Sequence, residues 1–157
     1  MQLLNPPGAY GNLFEGLHQG FRVERDAASL PQTTDDALFT ISGGRVLITQ
    51  IVGEVTTVIQ TQANNTKIKY NPTGAGADTD LCAVLNISAD AVGTYYGITG
   101  TVGDAMIDGI RMVKGQVAPL VLEEGDIELD CAASNTGAIK WTIWYIPLDN
   151  GAAIEAA

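Results

Sequence analysis

Gly125–Leu148 reads GDIELDCAASNTGAIKWTIWYIPL, and this stretch decides the fold class. Ile127, Leu129 and Cys131 fall on one side of an extended chain, and Asp126, Glu128 and Asp130 on the other. Asn135-Thr136-Gly137 is a turn signal. A second alternation follows, with Ile139, Trp141 and Ile143 opposed by Lys140 and Thr142. From Trp144 to Leu148 both sides turn apolar. A strand apolar on both faces is covered on both, so a loop of the same chain or another subunit is expected over Trp144.

The same grammar extends backward to Phe21. Phe21–Arg25 alternates, and Asp36–Ile41 ends in Ser42-Gly43-Gly44. Arg45–Val52 and Val55–Gln62 are rich in β-branched residues, with Gly53-Glu54 between them as a tight hairpin or a bulge. Thr66–Tyr70 follows, with Lys67 and Lys69 on the face away from Thr66, Ile68 and Tyr70. Residues 74–80 read as a loop. Further strands are expected at Leu81–Ile87, Thr94–Thr99, Ala105–Val113 and Val117–Leu122. About ten or eleven short strands at this spacing, with no amphipathic helix, indicate an all-β antiparallel sandwich or barrel. A jelly-roll-like sandwich is preferred, although strand order is not legible in such a pattern.

Residues 1–20 differ from the rest. They hold two adjacent prolines and scattered apolar residues (Leu3, Leu4, Tyr10, Leu13, Phe14 and Leu17) with no period of two or 3.6. Such a segment cannot build its own core, and it is expected to be an extended arm resting on another surface. The division is therefore an arm over 1–20, one β domain over 21–150, and a small, loose tail over 151–157.

The chain has 157 residues, enough for one domain with a sizeable core. Its 46% hydrophobic content is too high for a disordered chain. The net charge of −10 is uneven, because the residues after Asn71 carry twelve acids against three bases. Such a surface repels phosphate backbones and anionic membranes, so neither nucleic acid nor membrane is an expected partner. The start lacks a basic leader region and a long apolar run, which points to synthesis in the cytoplasm without secretion. Cys82 and Cys131 stand in separate apolar segments and are expected to be buried thiols, with a disulfide the alternative.

Residues that could carry chemistry are few. The single histidine, His18, lies in the arm, where no rigid shell would hold a catalytic group. A zinc site needs more His and Cys than the chain owns. No phosphate-binding or dinucleotide-binding glycine motif occurs. Asp78 and Asp80 could hold calcium in their glycine-rich loop, but the spacing of a helix–loop–helix calcium site is absent. Asp126, Glu128 and Asp130 could serve glycoside hydrolysis, yet acids alternating with core residues normally form a solvated sheet face. No catalytic residue, cofactor or metal is expected.

VERDAASLP at Val23–Pro31, LFTISGGRVLITQIVGEVTT at Leu38–Thr57 and the closing stretch at Gly125–Leu148 resemble small proteins from the structural gene modules of tailed bacteriophages. The resemblance runs from about residue 21 to the end and consists of strands and turns, with no catalytic motif. It implies a virion protein of the capsid decoration, or cement, type. Such proteins bind the major capsid protein on the head surface, form trimers or other symmetric oligomers, and stabilise the shell without catalysing anything. Leu13, Phe14, Leu17, Phe21 and Trp144 are the expected subunit contacts, and removal of residues 1–20 is expected to leave a folded domain that no longer attaches. A tail-tube or head–tail connector component fits the same features. A carbohydrate-binding β-sandwich using Trp144 or Tyr95 is a more distant alternative.

Overall fold

A computed structural model describes residues 20–157; Leu13, Phe14, Leu17 and His18 lie outside them. The chain forms twelve strands among the described residues, in two antiparallel sheets. The first sheet contains β1 (Phe21–Ser29), β11 (Ala138–Pro147), β3 (Val46–Thr57), β7 (Thr94–Gly97) and β8 (Ile107–Ile110), in that spatial order. β9 (Leu120–Leu122) also pairs with β3, further along the edge that β7 uses. The second sheet runs β12 (Ala153–Ala156), β2 (Asp35–Ser42), β10 (Gly125–Cys131), β4 (Asn65–Pro72), β5 (Thr79–Asp80). β6 (Leu85–Asn86) pairs with β4 beside β5, so the two short strands act as one broken edge strand.

This order is a jelly roll. With β5 and β6 taken together and the additions β8, β9 and β12 set aside, eight positions remain. One sheet then reads first, eighth, third, sixth, and the other second, seventh, fourth, fifth, which is the winding of two interlocked Greek keys. Among the described residues the sheets form an open sandwich with free edges, not a closed barrel.

Alternation explains the core. Ile127, Leu129 and Cys131 of β10 face Ile139, Trp141, Ile143 and Tyr145 of β11 across the interior, and all are buried. In β3 the inward positions change parity, from Val46 and Ile48 to Ile51, Gly53 and Val55. The cause is a bulge: Trp144 opposes Gln50 and Tyr145 opposes Ile48, so Thr49 is skipped. A second bulge, where Ile127 opposes Phe39 and Glu128 opposes Ala37, lets the consecutive Leu38 and Phe39 both be buried.

Several expectations give way here. Gly53-Glu54 is no turn, because β3 runs straight through it. The glycine answers to Trp141, whose ring atoms would stand 2.8 Å from a Cβ at position 53. Only Leu85–Asn86 of the stretch 81–87 is strand. The Asn86 side chain accepts hydrogen bonds from the Asn64 and Ser88 backbone N–H groups, which bends the chain out of the ladder. The strand expected over 105–113 stops at Ile110, since Arg111 takes a left-handed φ of 60°. The loose tail expected over 151–157 instead contains β12, with Ile154 buried and the Ala157 carbonyl accepting a hydrogen bond from Arg25 Nε. Among the described residues no helix is long and apolar enough to cross a membrane.

Candidate interaction surface

Two expected contact residues fall within the described chain. Phe21 is 59% exposed at the start of β1, with its ring 5.9 Å from that of Tyr145. Trp144 is half-buried on the outer face of the first sheet, between Arg22 of β1 and Gln50 of β3. The chain enters β1 through Gly20, where a Cβ would meet the Tyr145 carbonyl at 2.0 Å and the Ile146 side chain at 3.0 Å. Tyr95 shares the outer face with Trp144, but their partners on β3 are Glu54 and Gln50. Four residues of strand separate these, roughly 13 Å, so the two rings do not make one sugar-stacking platform.

The carboxylates of the second sheet serve one another's neighbours. Lys69 points outward from β4, and its ammonium contacts Asp35, Asp78 at 2.9 Å and Glu128 at 3.8 Å. These acids also come close enough together to hold a cation, and the Lys69 ammonium is the charge they surround. The hydrogen bond from Lys69 holds the Asp35 carboxyl below the usual range, and the Asp35 bond holds Lys69 above its own. Lys67 meets Asp80 at 2.8 Å and Asp130 at 3.8 Å, while Asp126 accepts a bond from Thr40. The two aspartates considered for calcium are thus each committed to a lysine. The three acids of β10 each face a cross-strand partner, and the Lys69–Glu128 pair is largely shielded from water, with side chains 11% and 12% exposed.

The thiols are buried. The Cys82 sulfur accepts a bond from the Ile68 N–H, Cys131 accepts one from Thr66, and no disulfide joins them. Burial pushes both thiols up.

The most unusual surface lies at the β8 edge, which sequence reasoning did not single out. Ile110 is 74% exposed and Met112 66% exposed. β8 pairs with β7 on one side, and no described strand pairs with the other. A groove of about 900 Å3 runs beside it, lined by Met106, Ile107, Ile110, Met112 and Val113, with Asp108 and Lys114 also on its wall. An apolar groove with a polar rim beside an open strand edge has the composition of a docking site for protein. The strand-like pattern at 105–113 was visible in the sequence. What leaves Ile110 outside is that no element among the described residues covers it, and alternation does not encode that.

No protein-family model, curated protein or solved structure matches this chain. The fold assignment therefore stands on strand order and register alone.

Proposed function

We propose that this chain is a non-enzymatic structural subunit of a tailed-phage virion, a capsid decoration protein that binds the major capsid protein on the head surface and stabilises it. The observation that carries the reading is the open apolar edge at β8, with Ile110 and Met112 in water beside a groove. Exposed surface of this kind marks a chain that assembles with other protein subunits. The ionisable groups support the same direction, since the sheet-face acids are occupied in pairs with Lys67, Lys69 and Thr40. Jelly rolls recur in viral capsid domains, which is analogy at the level of fold only. The resemblance of Val23–Pro31, Leu38–Thr57 and Gly125–Leu148 to virion proteins supplies the class of partner.

Co-sedimentation tests the proposal: purified chain is mixed with head shells of the parent phage that lack it. Binding at a fixed stoichiometry, with raised resistance of the shell to heat, supports the reading. Binding to purified tails or connectors alone would move the assignment there. The carbohydrate-binding alternative keeps one supporting feature, the half-buried Trp144 on an outer sheet face. It requires glycan-array binding that disappears in Trp144→Ala.

A further inference from the structure

Among the described residues the first sheet has two edges with no further strand paired to them, and they are unlike in character. At one edge is β1, entered through Gly20 with nineteen residues before it. At the other is β8, with its open backbone edge and its apolar groove. The residues before Gly20 include Leu3, Leu4, Tyr10, Leu13, Phe14 and Leu17, and their one charged side chain is Glu15. Met1–Phe14 carries no charged side chain in a chain of net charge −10, so this segment approaches another copy with little repulsion.

We propose that residues 1–19 of one copy dock along the β8 edge of a second copy, adding backbone hydrogen bonds to Ile107–Ile110 and placing apolar side chains in the groove beside Ile110 and Met112. The proposal rests on the reading of the chain as an assembling subunit and names the surface by which it meets itself. Reach is sufficient: nineteen extended residues span up to about 65 Å. Placement favours a second copy over the chain's own β8. Donor and acceptor edges are four strand spacings apart, roughly 19 Å. Between them lies the outer sheet face, which carries the Glu24–Lys140 ion pair, Thr142 and Glu54. An arm returning to its own β8 would have to cross the whole of that face, whereas a neighbour can present its β8 where the arm leaves. Donor and acceptor on opposite edges define a head-to-tail contact, and such contacts close into rings when the rotation allows. Pro6 and Pro7 cannot donate to a ladder, which leaves the run from Gly8 to Gln19, with Leu13, Phe14 and Leu17, as the adding strand.

Two variants and their mixture test this by light scattering coupled to size exclusion. One lacks residues 1–19. The other carries Ile110→Asp with Met112→Asp, two exposed positions whose substitution leaves the interior untouched; circular dichroism checks that both remain β-folded. The full chain is expected to form a closed oligomer, and each variant alone a monomer. Their equimolar mixture is expected to form a one-to-one heterodimer, because the groove variant still donates an arm and the armless variant still accepts one. Val117→Asp, exposed but outside the groove, should leave the oligomer intact. A monomeric full chain, an armless oligomer or a mixture without heterodimer would overturn the proposal. A monomer that still decorates head shells would overturn it while leaving the virion reading in place. An arm-dependent oligomer that binds no shell would do the reverse.

Discussion

Gly53 sits between two aromatic residues. Its neighbour on β11 is Trp141 and its neighbour on β7 is Tyr96, and the two rings stack with centroids 6.5 Å apart. The Tyr96 hydroxyl donates to the Asp90 carboxylate at 2.5 Å, so the stack is anchored at its polar end. A methyl group at 53 would enter the Trp141 ring. Gly53→Ala should therefore lower stability by about 1–3 kcal/mol in urea titration, the cost of an overpacked core. Lys69 gives a second residue-scale expectation. Asp35 titrates lower in the folded chain than unfolded, so its pairing stabilises above the unfolded carboxylate range and is lost as pH falls through the folded value. Lys69 titrates higher in the folded chain, so its share is complete below the ordinary lysine range and fades as pH rises through the folded value. Lys69→Met leaves Asp35, Asp78 and Glu128 facing one another without the ammonium. The variant should be destabilised at pH 7, and its deficit should shrink as the pH is lowered toward 4 and the acids protonate. A deficit unchanged with pH would mean the loss is one of packing. Cys82 and Cys131, buried and pushed up, should alkylate only after denaturation.

At the scale of elements, β12 decides whether the C-terminal residues are structural. Ile154 is 4% exposed, and β12 covers the β2 edge. Burying such a side chain is worth roughly 1.5–3 kcal/mol. Truncation after Asn150 should therefore cost at least about 2 kcal/mol by thermal or urea unfolding, and an unchanged midpoint would show that β12 contributes nothing. The alternating stretches were the legible part of this fold. β10 alternates throughout and β11 alternates as far as Ile143, and the structure places them where periodicity puts them. β3 was harder, because its bulge at Thr49 shifts the inward positions from even to odd, and Gly53 imitated a turn. β12 was not legible, because GAAIEAA offers one large apolar residue and its burial depends on β2 and Arg25, far away in sequence. Of the contact candidates, Phe21 and Trp144 stood out as apolar residues beside the arm and on a two-faced strand, and the structure leaves Phe21 exposed and Trp144 half-buried. Ile110 and Met112 were missed because an edge strand and a central strand have the same alternation.

For the whole molecule, the jelly roll binds its two sheets through one apolar layer and leaves polar faces outside. Asn64 and Asn135, both fully buried, tie the crossing loops together: Asn64 bonds to Ala133, and Asn135 to the Gln60 and Gln62 carbonyls. This frame holds the β8 groove at a fixed place relative to β1, a requirement for repeated, symmetric contact. For the virion role proposed above, cryo-electron microscopy of the corresponding phage particle is the most direct measurement. The expected result is a two-sheet density at symmetry-related sites on the outer head surface, in contact with the major capsid protein. Particles that contain no copy of the chain, or carry it only on the tail, would contradict it.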